Sequence, residues 1–382
     1  GCRYAMSVKI IIGDCKEVLA SMAEESVDCV VTSPPYWGLR DYGIEPGVWG
    51  GDDRCGHAWE TTPPRRSRTI NDVIGPAIQR NNAGSCYNAS GGHVCLKCNA
   101  WRGSHGLEPT IEMYVKHEVE IFRLARRVLK KTGTLWLNLG DSYASSPNGR
   151  SAADVRALGK DDRTFRDKPV GVPPGLKAKD LCMIPARVAL ALQADGWWLR
   201  SEIIWAKPNP MPESIKDRPT SAHEKIYLLS KSVKYFYDAE AVREKHVRLW
   251  DKSNGGSWSR GKGNAERVRE RGKAGTHSGP YPMPNPAGRN LRNVWTFATH
   301  PFRDAHFATF PPELARRCIL AGCPEGGVVL DPFAGAGTVG LVAGQLGRNA
   351  ILIEINPDYC KMAESRIKQD APMLTDVVCN PP

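Results

Sequence analysis

Residues 328–347, VVLDPFAGAGTVGLVAGQLG, run from an apolar stretch into a glycine-rich turn and then into a helix-like segment. That order leaves few folds open. A short continuous apolar run bounded by turn residues is a strand covered on both faces, and such a strand feeding a helix is the unit of a parallel α/β sheet. The pattern recurs. VKIII (8–12) ends at Gly13-Asp14, with a short helix expected over 15–22. VDCVVT (27–32) stops abruptly at Ser33-Pro34-Pro35. NAILIEIN ends its strand at Glu354, and a helix is expected through Ile367. The spacing predicts an α/β fold built on a doubly wound, mainly parallel sheet.

Further elements fit the alternation. Helical periodicity over Tyr114–Leu129 precedes a strand in TLWLNLGDSY, and a helix over Ile184–Asp195 precedes WWLRSEIIWAK. HEKIYLLSKSVKYFY (223–237) reads as a β-hairpin, and ELARRCILAGC (313–323) as a helix. Residues 6–49, 107–240 and 300–370 carry the pattern, whereas 50–106 and 241–299 interrupt it. With 382 residues, 41% of them hydrophobic, the chain can build one large core domain and a smaller module. No apolar run approaches the roughly 18 residues of a membrane span, and no leader-like segment opens the chain. Many of the twelve cysteines sit in apolar runs, as Cys29 does, which fits core packing in a reducing compartment. A cytoplasmic protein is expected.

The turn DPFAGAGT places Asp331, Phe333, Gly335, Gly337 and Thr338 at the carboxyl end of a strand, where open α/β sheets bind ligands. Glycine lets the backbone approach a ligand closely. Glu354 closes the next strand, and an acidic group there can accept hydrogen bonds from both hydroxyls of a ribose. The pair reads as a nucleoside cradle. At Thr32-Ser33-Pro34-Pro35-Tyr36-Trp37, two prolines remove two N–H donors and stiffen an extended backbone. The Ser33 hydroxyl and nearby carbonyls are then rigid acceptors beside the flat face of Tyr36. The set suits a planar substrate with an exocyclic amine.

Together, TSPPYWGLRDY and DPFAGAGTVG resemble the S-adenosylmethionine-dependent DNA amino-methyltransferases, with the catalytic motif ahead of the cofactor motif as in their permuted beta class. The resemblance implies a Rossmann-like methyltransferase fold. It implies catalytic roles for Ser33, Pro34, Pro35 and Tyr36. It implies cofactor contacts from Asp14, from His306 and Phe310 of HFATFP, and from the DPFAGAGT and Glu354 positions. GTLWLNLGDSY and EIIWAKPNPMPES resemble the walls of the target-base pocket. Residues 6–49 then hold the catalytic motif, 107–240 the pocket and 300–370 the cofactor site. Ser-Pro-Pro-Tyr is associated in this family mainly with cytosine N4, and Asp or Asn in place of Ser33 with adenine N6. The activity implied is methyl transfer to a cytosine N4 amine in duplex DNA. The base must be flipped out of the stack, because the amine is unreachable inside a duplex.

The two interruptions have their own chemistry. Cys55-x-His57 and Cys95-x-x-Cys98 supply four soft ligands suited to a structural tetrahedral zinc, with Cys86, His93 and His105 as rival ligands. The net charge is +11, and Arg243–Lys273 alone holds ten Lys/Arg against four Asp/Glu. Such a segment suits a polyanion, and the resemblance puts target recognition at 241–299. Arg260, Lys262, Arg267, Arg269 and Arg271 are the candidate DNA contacts. Adenine N6, an RNA or protein amide as acceptor, and a catalytically inactive zinc-containing DNA-binding protein are the alternatives. A homodimer and a cognate restriction endonuclease, in no physical complex with it, are compatible with all of this.

Overall fold

The computed structural model describes residues 6–38, 44–52, 54–59, 93–144, 173, 175–210, 212–246, 285, 287–299, 310–370 and 375–380. It divides into two compact units, Gly1–Tyr237 with Asn293–Pro382, and Asp238–Arg292.

The strands of the first unit are β1 (Met6–Ile12), β2 (Val27–Thr32), β3 (Gly47–Trp49), β4 (His93–Val94), β5 (Trp101–Gly103), β6 (Leu129–Leu139), β7 (Trp198–Ala206), β8 (His223–Ser230), β9 (Val294–Thr296), β10 (Val328–Asp331), β11 (Asn349–Glu354) and β12 (Thr375–Asn380). Its helices are α1 (Cys15–Ser21), α2 (Ile111–Val128), α3 (Ile184–Ala194), α4 (Pro312–Gly322), α5 (Thr338–Gln345) and α6 (Pro357–Asp370).

Nine strands form one sheet in the order β12-β1-β11-β10-β2-β6-β8-β7-β9. Pairing is parallel except where β8 runs antiparallel to β6 and to β7. The centre is largely apolar, as two-sided cover requires: Cys29, Val30 and Val31 of β2 and Leu135 and Leu137 of β6 are buried. Two helix starts carry side-chain caps. Asp14 accepts from the Lys16 amide at the head of α1, and Thr110 from the Met113 amide at the head of α2.

The register sets the site. β2 pairs with β10 with Cys29 opposite Val329, and β1 pairs with β11 with Ile12 opposite Glu354. The carboxyl ends of β1, β11, β10 and β2 therefore leave the sheet at one rim.

Two readings of the sequence change. The expected hairpin over 223–237 is one strand, β8, which ends at Ser230. Its antiparallel partners are β6 and β7, and Phe236 donates its amide to Thr132 instead of building a ladder. The interrupting segment 50–106 carries strands β4 and β5, which join β3 just ahead of it in the antiparallel sheet β3-β5-β4. Trp49 and Trp101 from that small sheet belong to the main hydrophobic core.

Candidate active site

The diproline corner and the glycine turn meet. Thr32, the last residue of β2, donates its hydroxyl to Asp331 Oδ1, the last residue of β10, at 2.7 Å, and both are buried. The same Asp331 oxygen accepts the Phe333 amide at 3.0 Å and shapes the start of the glycine turn. Burial lifts the Asp331 carboxyl to about 7, against the Thr32 and Phe333 bonds, and the Glu354 charge adds to the rise.

A pH dependence follows. Between the ordinary 3.8 and about 7, folded Asp331 keeps a proton that the unfolded chain has released. Stability from this group therefore falls as pH rises through that window and stays reduced above it. Asp331→Asn keeps an acceptor oxygen without the charge. Its melting temperature relative to the unaltered chain should be level near about pH 4 and higher near about pH 8. A difference independent of pH would contradict the assignment.

Beyond Asp331 lies the cradle. Gly335 takes φ +50°, and a Cβ added there would meet nothing within 4 Å, so its backbone faces open space. Glu354 holds this turn from the neighbouring strand: Oε2 accepts the Gly335 amide at 2.8 Å and Oε1 the Asn356 amide at 2.9 Å. Burial raises the Glu354 carboxyl, and these amides oppose the rise. The Gly13 amide donates to the Glu354 carbonyl at 3.0 Å, which brings Asp14 to the same rim. Asp14 spends one oxygen on the α1 cap. An open glycine backbone beside the Glu354 carboxylate has the room and the acceptor that a nucleoside needs. Gly337 and Thr338 pack against α6. A Cβ on Gly337 would stand 2.6 Å from Ala363 Cβ, and Thr338 accepts from Arg366 at 2.8 Å. Gly335, Gly337 and Gly340 together spell G-x-G-x-x-G, and Gly340 packs close to Leu352 of β11. Phe310 is half-buried just before α4, and His306 lies outside the described residues.

At the diproline corner the structure adds three residues: Asn138 and Lys207, from the two segments that resemble the pocket walls, and Glu224, which lies in neither. Ser33 Oγ donates to the Tyr36 hydroxyl at 3.2 Å, and that hydroxyl donates to Glu224 Oε2 at 2.8 Å. Asn138, in β6, donates to the same Glu224 oxygen at 2.8 Å and makes a very short contact with the Tyr36 hydroxyl. Lys207 pairs with the other Glu224 oxygen. The line Ser33, Tyr36, Asn138, Glu224, Lys207 thus crosses β2, β6, β8 and the end of β7. Asn138 Oδ1 is buried without a partner. One face of the Tyr36 ring lies on Gly140, where a Cβ would come within 2.5 Å of the ring. An amide inside LWLNLG, an otherwise apolar strand, was the available signal for Asn138. Lys207 had only its place in EIIWAKPNPMPES and Glu224 had no signal, because only antiparallel pairing of β7 with β8 sets them side by side.

The four metal-ligand candidates also converge. The ligand atoms of Cys55, His57, Cys95 and Cys98 all lie within 4.8 Å of one another. Cys55 and Cys95 sulfurs are 4.0 Å apart, and Cys98 Sγ lies 3.4 Å from His57 Nδ1. Tetrahedral bonds of about 2.3 Å would set two sulfurs roughly 3.8 Å apart. Burial opposes ionisation of Cys95, yet the backbone amides of Cys98 and Lys97, His57 and the Ala58 amide bring it to about 6. Of the rival ligands, His93 is exposed on β4, His105 belongs to another cluster, and Cys86 lies outside the described residues.

Arg260, Lys262, Arg267, Arg269 and Arg271 lie outside the described residues. The second unit is described around Glu244, which binds Arg289 at 2.9 Å and Arg292 at 2.8 Å.

The family model for N6/N4 DNA methylases, described as "DNA methylase", matches residues 27–365. The chain belongs to the N6/N4 DNA methylase family. Members are S-adenosylmethionine-dependent amino-methyltransferases. Type II methyltransferase M.SmaI of Serratia marcescens is 39% identical over 365 residues, 94% of this chain and 91% of the relative. Type II methyltransferase M.Cfr9I of Citrobacter freundii is 39% identical over 356 residues, 93% and 86% of the two chains. The solved PvuII DNA methyltransferase (cytosine-N4-specific) shares the fold at TM-score 0.51 with 16% identity, over 97% of this chain and 94% of that one.

Proposed function

We propose that this DNA methylase transfers a methyl group from S-adenosylmethionine to the N4 amine of a cytosine flipped out of duplex DNA. We read it as the modification enzyme of a type II restriction–modification pair, acting in the cytoplasm at the nucleoid. The observation that carries the reading is the Thr32–Asp331 bond, which sets the amine-accepting corner beside the adenosine-fitting cradle. Ser33 in Ser-Pro-Pro-Tyr supports cytosine over adenine. The names of the two relatives support a type II partnership with an endonuclease.

S-adenosylmethionine supplies, when bound, a methyl group on a positively charged sulfur. The rest falls to the chain. An exocyclic amine is a poor nucleophile because its lone pair is delocalised into the ring. Ser33 Oγ and the Pro34 carbonyl accept its two N–H hydrogens, which draws nitrogen toward a tetrahedral shape and frees the lone pair for direct attack. Tyr36 stacks on the base and holds the amine in line. The methylated nitrogen is cationic and must lose a proton, and the Glu224 carboxylate beside Tyr36 and Asn138 accepts it. Lys207 balances the charge of that carboxylate until then. Glu224→Gln should lower kcat on the order of 10²-fold, with cofactor binding unchanged. An unaltered kcat would remove Glu224 from the reaction.

The Cys55, His57, Cys95 and Cys98 set is read as a structural zinc site, supported by its sulfur spacing and the amides aimed at Cys95. The basic segment within 241–299 is read as the DNA-recognition region, on its charge.

Incubating the protein with duplex DNA and S-adenosylmethionine, then digesting to nucleosides for mass analysis, tests the reading. N4-methyldeoxycytidine is expected. N6-methyldeoxyadenosine would move the target to adenine, and absence of both would overturn the assignment.

A further inference from the structure

The loop after β5 holds a buried ionic cluster that the chemistry above does not use. His105 Nδ1 lies 2.8 Å from Glu108 Oε1, and Nε2 lies 2.8 Å from Glu118 Oε1. Carboxylates only accept, so both ring nitrogens donate and the ring is an imidazolium. Glu108 and Glu118 side chains are fully buried, and that of His105 is 8% exposed. Three aromatic rings lie against the cation: Trp49 at 5.1 Å, Tyr114 at 5.3 Å and Phe333 at 5.9 Å between centroids.

The cluster touches both halves of the site. Glu108 Oε2 accepts the Gly106 amide at 2.9 Å and fixes the turn of the loop. That loop holds the catalytic corner: Gly38 donates its amide to Gly106 O at 2.9 Å, and Trp37 its indole N–H to Glu108 O at 3.0 Å. Tyr114 donates to Pro35 O at 3.0 Å. The approach is backbone to backbone. Gly106 takes φ +91°, and a Cβ there would stand 3.0 Å from Pro35 Cβ and 3.4 Å from the Pro35 and Tyr36 carbonyl oxygens. Phe333, stacked on the His105 ring, belongs to the glycine turn after β10.

We propose that His105 is a positioning residue for methyl transfer. By tying Glu108 to Glu118 it holds the 104–110 loop, and through it the Pro35–Gly38 backbone and Phe333, at one fixed spacing. The proposal rests on the methyltransferase reading for its effect on rate. Its geometry stands without it.

Electrostatics agrees. Burial alone would depress the His105 imidazolium, but the charges of Glu108 and Glu118 and the bonds to them lift it to about 10. Burial alone would raise Glu108, but the His105 charge and the bonds from His105 and His117 bring it to about 2. The other groups around the cluster are His117 and Tyr114 of α2, and Cys15 and Lys16 of α1. The separations of 2.8 and 2.9 Å between His105, Glu108 and His117 are hydrogen-bond lengths, shorter than the spacing of ligands around a metal. The cluster also gives the small β3-β5-β4 sheet a purpose. Trp49 and Trp101 stack on His117 at 4.5 and 5.6 Å, so the segment that carries the metal-ligand set also braces the catalytic corner.

His105→Phe keeps the ring against its aromatic neighbours and strands two buried carboxylates. The double variant H105F/E118Q removes one of the stranded charges and carries the test if the single variant does not fold. Three quantities are measured: kcat on duplex DNA, KM for S-adenosylmethionine, and hydrogen exchange of the Tyr36–Gly38 amides. In both variants kcat should fall on the order of 10²-fold while KM changes by less than about threefold, as displacement of a reacting group by about 1 Å would do. Exchange over Tyr36–Gly38 should quicken roughly tenfold or more as the Gly106 bond loosens. The proposal is overturned by a kcat in H105F/E118Q within about threefold of the unaltered chain, by exchange that does not change, or by KM rising as much as kcat falls. If the unaltered protein transfers no methyl group at all, the methyltransferase reading fails, and the exchange measurement alone decides the clamp.

Discussion

Tyr36→Ala should lower methyl transfer on the order of 10³-fold while leaving S-adenosylmethionine affinity within about threefold, because two losses combine. The first is the stacking surface for the extruded base, worth about 1–3 kcal/mol by alanine truncation. The second is the hydroxyl that joins Ser33 to Glu224, at 3.2 and 2.8 Å. Its removal leaves Asn138 and Glu224 without a shared partner in a half-buried site, at about 1–3 kcal/mol. The cradle is built on β10 and β11, whereas Tyr36 follows β2, so cofactor binding is spared. Tyr36→Phe isolates the second loss and should fall between the two proteins. The measurements are single-turnover methyl transfer to duplex DNA and cofactor titration by calorimetry. Wild-type-like turnover in Tyr36→Ala would remove the residue from the mechanism. An equal loss of cofactor affinity would show that the corner and the cradle are not separate functions.

Cys95→Ser, or stripping of metal by a chelator, should give the largest change in stability. Cys95 is buried, and its amide and carbonyl both join the turn that carries Cys98: the Cys95 amide donates to Ala100 O at 2.7 Å, and the Asn99 amide to Cys95 O at 2.9 Å. A metal held only by the folded chain stabilises it by about 4 kcal/mol at a free concentration of roughly 1,000 times Kd. The effect does not stay local, because Trp49 and Trp101 of the adjoining sheet lie in the main core. A drop in melting temperature on the order of 5 °C or more is expected, with loss of about one zinc per chain. Elemental analysis and thermal melting with and without chelator check both. A melting temperature indifferent to chelation, in a protein that contains no zinc, would defeat the site.

What the sequence made legible follows from where the constraint lies. Val27–Thr32 and Val328–Asp331 could be read as strands because a strand covered on both faces needs an unbroken apolar run, which few other structures tolerate. Their endings were equally plain, since diproline and glycine each break a strand in a recognisable way. Edge strands lack that signature. Among the described residues Thr375–Asn380 pairs with β1 alone and Val294–Thr296 with β7 alone, and neither is long or apolar enough to stand out. The misread hairpin at 223–237 has the same origin, because an aromatic run such as KYFY satisfies local strand preference while the ladder positions of β8 are already taken by β6 and β7. Asn138 and Glu224 come from separate strands, and only the pairing of β6 with β8 brings them together. The His105 cluster lies within residues 105–118, and only the turn at Gly106 and the start of α2 set its side chains against one another.

The central claim is that the diproline corner and the glycine cradle form one site that methylates a cytosine amine. Sequencing the DNA of cells that express this protein, by a method that reports modified bases, tests it most directly. The expected result is N4-methylcytosine at one short recurring sequence, absent from cells carrying a Ser33→Ala form. A genome with no methylated base beyond the control, or one in which the Ser33→Ala form methylates equally well, would contradict it.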